Sequence, residues 1–106
     1  MDVEIYETPF FKKQVKKEKI SKSDLNDLEN ELRIMPEKCD VIPNSGGLRK
    51  IRVAIDGKGK RGGARAIYFY IIVKSEIYLL HIYKKSVTDN LTDDQLKVLR
   101  KIAQQF

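Results

Sequence analysis

The sequence predicts an α+β domain in which a small antiparallel β-sheet of about four strands packs with two N-terminal helices and a C-terminal helix. Three observations predict this class. Leucines recur at helical spacing up to Pro36, the middle of the chain alternates apolar and polar residues with the period of a strand, and the last residues return to helical spacing. A length of 106 residues predicts one domain over residues 1–106.

The N-terminal part of the chain predicts a short strand followed by two helices. Residues 3–6 favour a strand, and Thr8 followed by Pro9 is typical of a helix start, with a helix expected over about residues 9–19. Ser21 and Asp24 have the spacing of a cap at the start of a second helix. One face of that helix is apolar, with Leu25, Leu28, Leu32 and Met35 at helical spacing.

Three further strands are predicted to form an antiparallel meander. In the first of them, apolar residues alternate with Lys50 and Arg52, so one face is apolar and the other carries two cations. Its apolar residues are Ile51, Val53 and Ile55. Two β-favouring runs follow, over residues 65–73 and 77–83, with a turn at residues 74–76.

The chain closes with a helix that is predicted to cover the sheet. Thr92 and Gln95 have the spacing of a capping box at its start. Its apolar residues share one helical face and are Leu96, Leu99, Ala103 and Phe106.

Positive charge is concentrated in one glycine-rich window, residues 46–65. The window holds all six glycines and seven basic residues against one acid, and the rest of the chain carries 14 basic and 14 acidic residues. Glycine lets backbone amides approach a phosphate, and Lys or Arg neutralises it. The window therefore predicts a site for a polyanion, with nucleic acid as the leading candidate.

Several other classes of protein are disfavoured by the sequence. No apolar run approaches the roughly 20 residues of a membrane span, and the first residues lack the order of a signal peptide, so a cytoplasmic protein without a membrane partner is expected. One Cys and one His give no zinc set, and no metal or other cofactor is expected. The motif GxxxxGK[ST] of a nucleotide-binding loop is absent.

The cations of the window fall into two groups. Lys50, Arg52 and Arg65 lie in predicted strands, where side-chain direction is fixed, and together they suggest a groove for phosphates. Lys58, Lys60 and Arg61 lie in the predicted loop, where they can either clamp phosphates or simply be solvated. The same choice is open for the lysines of the first helix, Lys12, Lys13, Lys16 and Lys17.

Histidine and tyrosine are the remaining side chains of interest. Strand alternation predicts that His81 shares a sheet face with Ile77 and Leu79, which favours a structural role over acid–base catalysis. Four tyrosines on predicted strands favour packing, with base stacking as the alternative. They are Tyr68, Tyr70, Tyr78 and Tyr83.

Three sequence blocks, in a fixed order and followed by a short acidic-capped helix, carry a resemblance to a known family: GGLRKIRVA, KGKRGGARAIYFY and YLLHIYKK. Over essentially the whole chain this order resembles the RelE superfamily of bacterial toxins, specifically its HigB-like branch. The resemblance implies a metal-independent endoribonuclease that cuts messenger RNA in the ribosomal A site. It also implies a partner antitoxin, expected to be a helix-turn-helix protein, that silences the toxin.

The resemblance also assigns residues by position. Lys50 and Arg52 match the paired cations of the family's second strand, Arg65 matches the arginine that opens the third, and Lys85 matches the basic residue after the last strand. These four are the predicted catalytic residues. Many members carry an aromatic residue after the last basic position, where the nearest residue here is Leu91. The predicted RNA-binding residues are Arg49, Lys58, Lys60, Arg61 and Lys84.

RNA cleavage by the ribose 2′-hydroxyl needs a base, a stabiliser of negative charge and an acid for the leaving oxygen. Arginine suits only the charge role because it keeps its proton, whereas a lysine crowded by other cations can accept one. Arg52 and Arg65 are therefore expected to hold the phosphate, with Lys50 or Lys85 as the base. Two alternatives use the same surface: a noncatalytic RNA- or ribosome-binding module, and an adaptor for an acidic peptide.

Overall fold

The computed structural model describes residues 2–55, 63–85 and 91–106. The chain forms β1 (Glu4–Glu7), α1 (Pro9–Lys17), α2 (Lys22–Ile34), β2 (Leu48–Val53), β3 (Ala64–Ile71), β4 (Glu76–Lys84) and α3 (Asp93–Ala103). A 3₁₀ turn, Ile72–Lys74, joins β3 to β4 and ends at Ser75 in the left-handed conformation, with φ of 53°. The predicted α+β class is confirmed, with four strands, two N-terminal helices and a C-terminal helix.

The four strands form one sheet in the order β1-β4-β3-β2. Strands β2, β3 and β4 pair antiparallel, as the predicted meander requires. Strand β1, however, runs parallel to β4, with Ile5 opposite Ile77. The sheet is therefore mixed rather than antiparallel throughout. The long connection through two helices and two strands lets β4 return in the direction of β1, which a short hairpin would not allow.

Two apolar clusters cover the two faces of the sheet. The first lies under α1 and α2 and includes Phe11, Leu28, Leu32, Ile51, Tyr68, Ile77 and Leu79. The second lies under α3 and includes Leu48, Ile67, Leu80, Tyr83 and Leu99. The capping box at Thr92 and Gln95 is present and fixes the start of α3.

A β-bulge changes which residues of β4 share a face. Ile67 pairs with His81 and Tyr68 pairs with Leu79, so Leu80 is the extra residue. Ile77 and Leu79 belong to the first cluster, whereas the ring of His81 lies against Phe10, whose side chain packs on the second cluster. The predicted placement of His81 beside Ile77 and Leu79 is wrong, because strict alternation along the strand does not hold across a bulge.

Thr8 fixes the start of α1 and ties it to the sheet. Its hydroxyl accepts from the Phe11 N–H at 3.2 Å and donates to the Leu79 carbonyl at 2.9 Å. We expect Thr8→Ala to lower the free energy of unfolding by about 1–2 kcal/mol, because a buried cap and a buried hydrogen bond are both lost.

The matched control is Ser21→Ala, at the exposed cap of α2, whose hydroxyl accepts from the Asp24 N–H at 3.1 Å. Urea unfolding of both variants measures the difference, with a loss of about 0.5–1 kcal/mol expected for Ser21→Ala. Equal losses would show that the contact of Thr8 with the sheet contributes nothing.

Candidate nucleic-acid interface

One row of residues crosses three strands near the end of the sheet. Arg52 of β2 lies opposite Arg65 of β3, and Arg65 lies opposite Tyr83 of β4. Residues directly opposed in a sheet project from the same face. The next row along the same face consists of Lys50, Ile67 and His81. The alternation predicted for Lys50 and Arg52 is thus observed, and Arg65 joins them.

The three cations of this face differ in burial. Arg65 is only 8% exposed, and its Nη1 donates to the Ala64 carbonyl at 3.3 Å. Lys50 and Arg52 are exposed on β2, which lies at the edge of the sheet. A buried guanidinium keeps one direction, whereas exposed lysine and arginine side chains adjust to a ligand. Arg65 is therefore the positioned charge of this face.

Two hydrogen bonds donated by backbone N–H groups hold the end of β4. The Lys85 N–H donates to the Gly63 carbonyl at 3.1 Å, next to the start of β3. The Lys84 N–H donates to the Glu18 carboxylate, also at 3.1 Å. Lys85, which is exposed, therefore sits two residues beyond Tyr83, at the sheet end that carries Arg52 and Arg65. The four predicted catalytic residues lie in this region, with Lys50 one row further in.

The predicted RNA-binding residues are distributed differently. Arg49 lies opposite Tyr68, on the other face, and its Nη1 donates to the Cys39 carbonyl at 2.6 Å. Lys84 is half-buried and lies opposite Ala64 of the first cluster. The structure does not bring these two side chains to the row of Arg65. Strand alternation alone indicates this, because Arg49 and Lys84 are sequence neighbours of Lys50 and Tyr83, which lie on the face of Arg65. Lys58, Lys60 and Arg61 lie outside the described residues.

Acidic residues border the cationic strand on one side. Arg52 lines a groove with Asp27 and Glu31 of α2. A second groove contains Lys50, Glu31 and Asp40. Carboxylates repel a phosphate backbone, so this side is unfavourable for RNA. The favourable approach is over the face that carries Arg65 and the end of β4.

Two buried polar atoms on the face of Arg65 lack a hydrogen-bond partner within the described ranges. They are Nδ1 of His81 and the hydroxyl of Tyr83, whose ring centroids are 5.3 Å apart. Burial lowers the pKa of His81, an effect opposed by Glu18 and reinforced by Lys17. Burial raises the pKa of Tyr83, an effect opposed by the charge of Arg65. Near neutral pH the imidazole is therefore uncharged and the phenol keeps its proton.

The lowered pKa of His81 predicts a pH-dependent stability. Unfolded His81 has the ordinary pKa of 6.5 and binds a proton more readily than the folded residue does. Its contribution is thus fully present above pH 6.5 and is lost as the pH falls below that value. We expect the melting temperature to fall between pH 6.5 and 5.5, and to fall less in His81→Gln, as measured by calorimetry. Parallel curves for the two proteins would contradict this assignment.

The lysines of α1 lie close to the same face. Lys12, Lys13, Lys16 and Lys17 are all exposed. Three of them line a shallow groove with Phe10, and the Phe10 ring centroid lies 5.2 Å from that of His81. The basic side of α1 therefore borders the row that contains His81. Both interpretations of these lysines, as RNA contacts or as a solvated face, remain predictions.

Neither metal binding nor membrane insertion is supported by the side chains that the structure describes. In residues 2–55, 63–85 and 91–106, no three His, Cys, Asp or Glu side chains are grouped so that they could hold a metal ion. Within the same ranges, no helix combines the length and the apolar character that crossing a bilayer requires.

Comparison with known proteins identifies a family and structures of similar fold. The family model described as "RelE toxin of RelE / RelB toxin-antitoxin system" matches residues 3–106. Among solved structures, the chain is similar to E. coli toxin RelE in the free state, in a mutant with two arginines replaced by alanine. That match has 15% identity and a TM-score of 0.56, and it covers 84% of this chain and 90% of the other. At this identity, the structural match supports the fold, and the family model identifies the family.

Proposed function

This chain belongs to the RelE family of toxins from toxin–antitoxin systems, and we propose that it is a ribosome-dependent endoribonuclease that cuts messenger RNA in the A site. The observation that supports this function is the convergence of Arg52, Arg65 and Lys85 at one end of the sheet. A partner antitoxin, proposed to be a helix-turn-helix protein, silences it. Membership of the HigB-like branch, indicated by the KGKRGG block, stays a prediction.

The proposed reaction needs no metal. A lysine takes the proton of the ribose 2′-hydroxyl, and the 2′-oxygen attacks the adjacent phosphorus while the bond to the 5′-oxygen breaks. The leaving oxygen takes up a proton from water, so the products are a 2′,3′-cyclic phosphate and a 5′-hydroxyl end. Arg52 and Arg65 stabilise the charge that develops on the phosphate oxygens. Lys50 and Lys85 are the two candidates for the base.

The ribosome is proposed to supply part of the geometry. Lys50 and Arg52 are exposed on an edge strand, and Lys85 is exposed at a strand end, so these side chains are not locked in place before substrate binds. A messenger strand held in the decoding site with its backbone splayed would present the 2′-hydroxyl in line with the phosphorus. Purified protein should therefore cut ribosome-bound RNA much faster than the same RNA free in solution.

The decisive test is induced expression of the wild-type protein in growing cells, with mapping of RNA ends. The proposal expects slower growth and new 5′-hydroxyl ends inside translated codons. A parallel assay with purified ribosomes, charged with a short messenger and compared with the free messenger, separates dependence on the ribosome from general nuclease activity. Unchanged growth without cuts in translated codons would overturn the proposed function.

A second function is supported by the exposure of Lys50 and Arg52, because exposed cations can contact phosphates without catalysing any reaction. In that case the chain is a noncatalytic RNA- or ribosome-binding module. Both functions predict binding that weakens as salt is raised. They differ in the effect of single substitutions. In a nuclease, a substitution lowers the cleavage rate far more than the affinity for RNA, whereas in a binding module it lowers the affinity alone.

A further inference from the structure

The hydroxyl of Tyr83 is unusual among the buried polar groups of the described residues. Tyr83 is 3% exposed, and its hydroxyl has no hydrogen-bond partner within those residues. Tyr68, which is also buried, donates its hydroxyl proton to the Pro36 carbonyl at 2.9 Å. Buried polar groups normally have partners because an unpaired one destabilises the fold. The hydroxyl of Tyr83 therefore calls for a partner from beyond the described residues.

The surroundings of that hydroxyl indicate what kind of partner is missing. Arg65 lies directly opposite Tyr83 in the sheet, and its charge acts on the phenol. A guanidinium and a phenol are both hydrogen-bond donors, and a guanidinium cannot accept. Two adjacent donors are complementary to an acceptor that carries negative charge. Among the partners of an RNA-cleaving site, a non-bridging phosphate oxygen fits both groups.

We propose that Tyr83 is a further catalytic residue whose hydroxyl donates a hydrogen bond to the phosphate oxygen that Arg65 neutralises. This inference rests on the proposed nuclease function. Arg65 and Tyr83 are directly opposed on neighbouring strands and are 8% and 3% exposed, so the proposal requires that one phosphate oxygen reaches the guanidinium and the hydroxyl together. The bond strengthens as negative charge builds up on that oxygen in the transition state.

Tyr83 acts as a donor here and not as the base. Burial raises the pKa of its hydroxyl, so the phenol keeps its proton near neutral pH. His81 of the next row, whose pKa is lowered by burial, stays uncharged, so Arg65 is the buried cation of this face among the described residues. The proton of the 2′-hydroxyl therefore still goes to a lysine, and the atom balance of the reaction is unchanged.

The test compares Tyr83→Phe with the matched control Tyr68→Phe. Each change removes one hydroxyl from a buried ring, but the hydroxyl of Tyr68 is bonded to Pro36, and that ring lies in the first cluster, on the other face of the sheet. We expect Tyr83→Phe to cleave ribosome-bound RNA about 10- to 100-fold more slowly, mainly in kcat, with an unchanged or higher melting temperature. Tyr68→Phe should melt earlier and cleave at the wild-type rate.

Three outcomes decide the question. Cleavage by Tyr83→Phe at the wild-type rate overturns the inference. A loss of cleavage accompanied by a lower melting temperature also overturns it, because such a loss indicates a structural role for the hydroxyl. A third measurement combines Tyr83→Phe with Arg65→Ala. If both groups act on one oxygen, the double variant should cleave only slightly more slowly than the slower single variant. Fold-losses of the cleavage rate that multiply in the double variant would show independent effects and would also overturn the inference. Absence of cleavage by the wild-type protein would instead contradict the proposed function.

Discussion

Replacing Arg65 by alanine is expected to slow cleavage of ribosome-bound messenger RNA by about 100- to 1,000-fold, while weakening binding to the ribosome by only about 1–2 kcal/mol. The reason is the position of the guanidinium, which is buried, directed by β3 and placed between Arg52 and Tyr83. Single-turnover cleavage and equilibrium binding, measured on the same charged ribosomes, give the two quantities. Toxicity on induction should fall with the cleavage rate.

The control for Arg65→Ala is Arg33→Ala. Arg33 lies on α2, is 47% exposed in its side chain and forms an ion pair with Glu29 at 3.4 Å. It carries the same charge but lies away from the row, so its loss should leave cleavage within about twofold of wild type. Arg65→Lys tests charge against geometry, because lysine keeps the charge without the planar fork. Equal losses of binding and cleavage in Arg65→Ala would favour the noncatalytic binding module.

The largest effect on stability is expected from Phe11→Ala. Phe11 is fully buried in the first cluster, and its removal should lower the free energy of unfolding by about 3–5 kcal/mol through lost burial and a residual cavity. The control Phe106→Ala removes a ring that is 40% exposed, although it stacks on Tyr78 with centroids 3.9 Å apart. A loss of about 1–2 kcal/mol is expected there.

Phe11→Ala also tests how the helix supports the interface. Phe11 anchors α1, and Glu18 just beyond that helix accepts the Lys84 N–H. Loosening the helix should therefore disturb the position of Lys85 and reduce cleavage even in the folded fraction. Denaturant unfolding gives the stability, and cleavage assayed well below the melting temperature gives the second effect. If the folded variant cuts at the wild-type rate, α1 does not position this strand end.

Much of this fold could be predicted from local sequence signals. Thr8, Ser21 and Thr92 cap the three helices as their spacing indicates. Alternation from Lys50 to Val53 correctly placed the cations on one face and the apolar residues on the other, because β2 contains no bulge in its pairing with β3. These features depend on residues a few positions apart. Local patterns are sufficient for them.

The errors concern features that depend on distant residues. The bulge at Leu80 is set by how β3 and β4 pair, and it moved His81 away from Ile77 and Leu79. The parallel pairing of β1 depends on a partner some seventy residues away. That the hydroxyl of Tyr83 has no hydrogen-bond partner among the described residues is visible only when its neighbours on the other strands are known. Single-strand patterns cannot contain this information.

The edge position of β2 gives Lys50 and Arg52 a second consequence. An edge strand offers unpaired backbone groups to other chains, and charged side chains are a common protection against such pairing. Both residues are exposed on β2, whose outer edge is covered at Leu48 and Arg49 by the segment of Val41 and Ile42, and beyond those residues β2 has β3 as its one neighbouring strand in the sheet order of the described residues. We therefore expect the two cations proposed to contact RNA also to oppose strand-to-strand association of toxin molecules. Their replacement by apolar residues should then lower the solubility of the protein as well as its activity.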